Sequence, residues 1–177
     1  MGCSGAGKTT LAREAGRRLG VAHVELDAVF WDAGWQHRDV DEALAILRDW
    51  LVTEGRDGWA ADGNWTSRGH GLQELADTIV WLDPPRRVVM WRVVTRTLRR
   101  GVARVELWHG NRENLASLLS RDPERNIVLW SWSHFDRYRE QNGALAARDP
   151  RVVRLGSARD ARTWLGSLRT VPREPPG

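Results

Sequence analysis

The sequence predicts an α/β fold with a parallel sheet. Three observations carry that expectation: short apolar runs alternate with helical patterns along the chain, one of those runs is apolar throughout, and a glycine-rich segment near the start leads directly into a helix. The 177 residues and 20.1 kDa correspond to one domain, expected over 1–170, with a Pro-rich tail at 171–177 expected to be disordered. With 41% hydrophobic residues the chain can bury a core, and with 28% charged residues it can stay in solution.

In chain order, Thr10–Leu19 carries Leu11, Ala15 and Leu19 on one helical face, and Gly20 supplies the stop. Ala22–Asp27 reads as a short strand ending in an acid. Residues 28–38 read as an aromatic loop holding Phe30, Trp31 and Trp35. Asp39–Thr53 reads as a helix, capped by Asp39 or Asp41 and striped by Ala43, Leu44, Leu47, Trp50 and Leu51. Gly58–Gly63 is a second strand and turn, and 68–77 a short helix. Thr78–Asp83 is the continuous apolar run of a buried parallel strand. Pro84 and Pro85 break the chain and open a long helix over about 85–100. A lid-like loop is expected at 101–112, helices at 112–120 and about 125–142, a last strand at 151–155 and a last helix at 158–168.

No apolar run is long enough to span a bilayer, and the polar, glycine-rich start does not have the form of a signal peptide. A lone cysteine, Cys3, excludes an intramolecular disulfide and any Cys-based zinc cluster. A cytoplasmic protein without membrane contact is therefore expected. The net charge of +4 and a pI near 10.4 raise the question of nucleic acid. Yet Lys8 is the only lysine among 27 basic residues, and there are 11 Trp against one Tyr, a bias typical of GC-rich coding. The charge balance is thus weak evidence for a partner. What stands out is where the single lysine sits.

Gly2-Cys3-Ser4-Gly5-Ala6-Gly7-Lys8-Thr9 fits G-x-x-x-x-G-K-[ST], the P-loop pattern. Its glycines let successive backbone N–H groups turn toward phosphate oxygens, and the following helix adds its positive end. Residues 2–9 with Thr10 are the expected nucleotide cradle. Lys8 would reach the β- and γ-phosphates, and the Thr9 hydroxyl would ligate Mg²⁺. A P-loop ordinarily follows a buried strand, whereas only Met1 precedes this one. The expectation is a sheet lacking its first strand here, supplied by an apolar N-terminal extension.

Ligands of open α/β sheets gather at the carboxyl ends of strands, where Asp27, Asp62 and Asp83 are expected. Asp62, ending an apolar strand before Gly63, is assigned to the Mg²⁺ side, and Asp27 to the acceptor side. Asp83, followed by Pro-Pro, reads as a helix-start residue. Trp31, Trp35 and Trp65 follow two of these acids and could wall an acceptor pocket or serve as packing anchors. Between Arg86 and Arg104 there is no acid, and Arg92, Arg96 and Arg99 or Arg100 share a helical face. Arg96, Arg100, Arg104 and Arg112 are the candidates for gripping transferred phosphate, as a lid could do. The same arginines admit a nucleic-acid surface as the alternative reading.

The segments GCSGAGKTTLA, HVELDAVFWDAGW, WAADGNW, ADTIVWLDPP and RTLRRG with ELWHGNRENL together resemble the adenylate-kinase-like P-loop proteins. The likeness is to a bacterial branch labelled DNA topology modulation protein or adenylate-kinase-related protein, and it covers residues 2 to about 165. The resemblance implies a three-layer nucleoside-monophosphate-kinase-like fold with a parallel sheet in strand order 2-3-1-4-5. It implies ATP and Mg²⁺ at the P-loop, with Asp62 on the metal side, Asp27 near the acceptor and an Arg-bearing lid around 101–112. The activity it implies is transfer of the γ-phosphoryl group of Mg-ATP to a small acceptor, a nucleotide being one candidate. Lys8, Asp27, Arg96, Arg100 and Arg112 would act on the reacting groups. The kinases of this kind continue the Asp-Gly turn with Phe-Pro-Arg, whereas this chain continues Asn64-Trp65-Thr66-Ser67-Arg68.

Overall fold

A computed structural model describes residues 1–65, 71–123 and 125–169. It is α/β. Helix α1 (Lys8–Leu19) starts after Gly7 and ends on Gly20, both left-handed, with the Gly20 N–H bonded to the Gly16 carbonyl. Strand β1 (Ala22–Glu25) pairs in parallel with β2 (Trp59–Asp62), aligning Glu25 with Asp62. Strand β3 (Ile79–Leu82) pairs in parallel with β4 (Val152–Leu155).

Between these strands come α2 (Leu26–Phe30), a 3-10 turn Ala33–Trp35, α3 (Val40–Val52) and α4 (Leu72–Leu75). Helix α5 (Arg86–Val102) follows β3, then 3-10 turns at Trp108–Gly110 and Leu115–Leu119, and α6 (Ile127–Arg148) precedes β4. Helix α7 (Ala158–Ser167) closes the order. Side chains set several starts. Asp39 accepts from the N–H groups of Asp41 and Glu42, Asn126 from those of Val128 and Leu129, and Ser157 from Asp160.

Three expectations are corrected. The first strand ends at Glu25, and Asp27 lies in α2, because Leu26 and Phe30 turn onto one face and both are buried. Residues 112–120 form only the short 3-10 turn, opened by Asn114 accepting from the Ala116 N–H. Asp83 does not start α5. Its buried side chain lies between Arg154 and Arg139, an anchor from β4 and α6. The parallel pairing is as expected, and the described residues hold it as two two-stranded sheets. Met1 adds to β3, donating to the Val80 carbonyl and accepting from the Leu82 N–H. The tail at 171–177, residues 68–70 of the expected short helix, and with them Arg68, lie outside the described residues. No described helix is long and apolar enough to cross a membrane.

The core positions the glycine-rich loop. One cluster gathers Val24, Leu26, Val29, Phe30, Ala43, Leu47 and Leu72 under α2 and α3. A second holds Cys3 with Val89, Val93 and Phe135, and a third holds Ala6 with Leu82 and Leu155. Cys3 and Ala6 thus anchor one short loop in two different clusters. Both side chains are buried, so the loop is fixed by packing on both sides.

Candidate active site

The loop of residues 2–7 curls because its glycines take positive φ. Gly5 sits at φ 83°, and a Cβ there would lie 2.5 Å from Val93 Cγ2 and 2.9 Å from the Val89 carbonyl. Helix α5 therefore presses directly on the loop. It also sends two arginines one turn apart into it. Arg92 Nη1 donates to the Ala6 carbonyl at 3.1 Å, and Arg96 Nη2 donates to Ser4 Oγ at 3.1 Å. The Arg96 guanidinium is lowered from its ordinary value by burial and then by neighbouring Arg100. Its Nε is buried without a hydrogen-bond partner among the described residues.

Lys8 folds back over the loop and donates to the carbonyls of Gly2 and Cys3 at 2.9 and 3.2 Å. Burial lowers its pKa, while Asp27 and Asp62 oppose that shift. The Gly2 carbonyl also accepts from Asn64 Nδ2 at 3.0 Å, which ties the turn after β2 to the loop. Thr9 Oγ donates to Asp62 Oδ1 at 2.7 Å, and His23 Nε2 lies 2.9 Å from Asp62 Oδ2. Burial pushes the Cys3 thiol up, and its Sγ lies 3.5 Å from the Ser131 carbonyl oxygen.

Asp27 faces the same space from α2. Trp65 Nε1 donates to its Oδ1 at 2.6 Å. Burial raises its pKa, and the Trp65 hydrogen bond and the Lys8 ammonium act against that rise. Trp65 stacks on Phe30 at 4.9 Å, and Trp31 stacks on His37 at 4.2 Å and meets Trp65 edge-on at 5.5 Å. The three tryptophans singled out in the sequence are thus one aromatic group beside Asp27, Trp35 meeting Trp31 edge-on at 5.8 Å and also serving a second task.

That task is a clasp between residues 28–38 and 105–112. Trp35 N–H donates to Asn111 Oδ1 at 2.9 Å, and Asn111 Nδ2 donates to the Asp32 carbonyl at 2.8 Å. Trp35 Nε1 reaches the Arg112 carbonyl at 3.2 Å, and Trp108 Nε1 reaches Glu25 Oε2 at 3.2 Å. His109 Nε2 lies 2.8 Å from the Ala28 carbonyl. Trp35 and His109 both hold left-handed backbone, at φ 57° and 56°.

The expected phosphate-gripping arginines separate. Arg96 is at the loop. Arg100 pairs with Glu113 at 3.1 Å, and Arg112 pairs with Glu106 at 3.2 Å on the surface. Arg104 is exposed at the end of α5, at φ 47°. Three roles in the site were not assigned from the sequence: those of His23 and Asn111 and the loop-facing role of Arg92. Each acts on a partner distant in the chain, so local pattern does not reveal it.

A cavity of about 390 Å³ opens beside the loop, lined by Gly7, Thr10, Leu11, Arg92, Ser157 and Ala158 among others. Among the described residues no three His, Cys, Asp or Glu side chains converge on one metal position. Thr9 and Asp62 offer a hard oxygen pair, which suits an ion completing its shell from phosphates and water. No protein-family model and no curated protein matches the chain.

Proposed function

We propose that this chain is an ATP-binding, adenylate-kinase-like phosphotransferase that moves the γ-phosphoryl group of Mg-ATP to a small acceptor. The observation that carries the reading is the convergence on residues 2–9 of Lys8, Arg92, Arg96 and the Thr9–Asp62 pair. Backbone amides, one ammonium and two guanidinium groups around a glycine-rich loop suit a triphosphate. The adjoining cavity, part apolar through Leu11 and Ala158, suits the nucleoside.

The two strand pairs are read as flanks of one P-loop sheet in a three-layer fold. Two bonds support this: Met1 pairs along β3, and Gly2 accepts from Asn64 just after β2. In that arrangement the order of strands is β1, β2, the Met1 position, β3, β4, which is the 2-3-1-4-5 order of the family resemblance.

In the reaction, the loop amides and Lys8 would hold the β- and γ-phosphates. Arg96 would meet the charge that develops on the transferring group. Thr9 and Asp62 would hold Mg²⁺, which neutralises phosphate charge. Asp27 would orient the acceptor, and the clasp would keep water from the phosphoryl group.

Calorimetric titration with Mg-ATP, together with an assay of acceptor-dependent ADP formation, tests this. Binding that Lys8→Ala weakens at least about tenfold, in a variant that still folds by circular dichroism, is the expected result. Binding that Lys8→Ala leaves unchanged overturns the reading.

A further inference from the structure

Among the described residues, the acceptor side of the site is built from carboxylates and rings, Arg68 lying outside them. Asp27 points there, held at Oδ1 by Trp65. The charged groups acting on it are Lys8, Asp62 and Glu25, and it in turn acts on Arg96 and Tyr138. The two cations among them belong to the other side: Lys8 rests on the Gly2 and Cys3 carbonyls and Arg96 on Ser4.

Most of the other described arginines near the acceptor loops lie beside acids, Arg38 at ion-pair distance only, with its buried Nε not hydrogen-bonded. Arg38 donates to the Val29 carbonyl and lies 3.6 Å from Glu42 and 4.0 Å from Asp32. Arg13 pairs with Glu25 at 2.6 Å, Arg100 with Glu113 and Arg112 with Glu106. Arg104 is exposed.

Acceptor chemistry makes opposite demands. A phosphomonoester brings close to two negative charges, and its attacking oxygen is already ionised. It needs arginine forks and has no use for a base. An alcohol is uncharged and must lose a proton as its oxygen attacks, which calls for a carboxylate within hydrogen-bond reach. A dianion set beside the Asp27 carboxylate would also meet like charge.

We infer that the acceptor is a hydroxyl compound bearing no phosphate, and that Asp27, steadied by Trp65, receives its proton. This rests on the phosphotransferase reading above. The hydroxyl oxygen attacks Pγ, the bond from Pγ to the β-bridging oxygen breaks, and ADP leaves with that electron pair. The hydroxyl proton passes to the Asp27 carboxylate, and the products are a phosphomonoester and ADP. Trp65, backed by the buried Phe30 ring, and Trp31 give this acceptor an apolar, ring-bearing wall.

The test uses the full chain with Mg²⁺ and three probes: ATP, the pentaphosphate that joins two adenosines, and a set of nucleoside monophosphates. The pentaphosphate links ATP to a phosphate-bearing acceptor in one molecule. The expected result is ATP binding, pentaphosphate binding no more than about threefold tighter than ATP, and no ADP formation with any monophosphate beyond that with ATP alone. Asp27→Asn, which removes the opposing charge, should raise pentaphosphate affinity relative to ATP by about threefold or more. A pentaphosphate that binds the parent protein tighter than that, ADP formation driven by a monophosphate, or an affinity ratio unmoved by Asp27→Asn overturns the inference while leaving phosphotransfer standing. Absence of ATP binding overturns the phosphotransferase reading itself, and this inference with it.

Discussion

Thr9 donates its hydroxyl proton to Asp62 Oδ1 at 2.7 Å, joining the first turn of α1 to the end of β2. The other oxygen of the same carboxylate is met by His23 Nε2 at 2.9 Å from the neighbouring strand. Asp62 is therefore held at both oxygens by groups from two different elements, and its side chain is only 7% exposed. A hydroxyl and a carboxylate fixed so closely are pre-positioned, so ligand binding need not order them first.

Replacing His23 tests that arrangement. His23→Leu leaves Asp62 Oδ2 buried without its partner, and the expected loss of stability is about 1–3 kcal/mol. His23→Gln keeps an N–H donor near the same place and should lose less. Urea unfolding of the two variants measures the difference, and equal losses would show that shape, and not the hydrogen bond, is what His23 supplies.

Asn111, 4% exposed, uses both ends of its amide to bind one loop to another. Asn111→Ala should leave the Trp35 N–H and the Asp32 carbonyl without their partner. Solvent at the loop surface reduces the cost of each, so the expected destabilisation is about 1–2 kcal/mol. The sharper effect should be local: hydrogen exchange over 28–38 and 105–112 should quicken while β3 and β4 stay protected.

Gly5→Ala should be among the most damaging small substitutions in the chain. The new methyl would meet Val93 Cγ2 and the Val89 carbonyl inside van der Waals distance, on backbone at φ 83°. Strain of this kind costs about 1–3 kcal/mol. Thermal unfolding measures it. Gly20→Ala, also at positive φ but with nothing within 4 Å, separates the clash from the backbone term.

The parts of this molecule legible from the sequence are those encoded locally. The helix after the glycine-rich loop, the stripe on α3 and the apolar run of β3 lie within a residue or two of their expected bounds, because period and capping residues act over a few positions. Asp27 was expected to end a strand, but Leu26 and Phe30 bury together on α2 and coil the chain one residue after Glu25. Arg92, Arg96 and Arg100 share a helix face, as their spacing requires. Spacing does not tell that the first two meet backbone and hydroxyl groups of the loop while the third meets Glu113. The same limit hid His23 and Asn111, whose partners are set by strand register and by contact between two loops.

Asp27→Asn should separate stability from function. Burial raises the Asp27 pKa from its ordinary value. A carboxyl whose folded pKa is raised binds its proton more tightly in the folded state, so its effect on stability turns unfavourable as pH climbs from the ordinary range through the raised value. Above the raised value the wild-type protein carries that penalty in full. The substituted amide would be uncharged at every pH, and its oxygen could still accept from Trp65 Nε1. The variant should therefore melt at a temperature equal to or above that of the parent at pH 7–8, with the gain shrinking toward pH 4. Phosphotransfer, if Asp27 is the proton acceptor, should fall by about a hundredfold or more, and in the parent it should decline on acidification through the same raised pKa. Melting curves and rates collected over one pH series check both signs together. A variant less stable than the parent at pH 8 would mean that the Asp27 charge is compensated by Lys8 more completely than its burial implies.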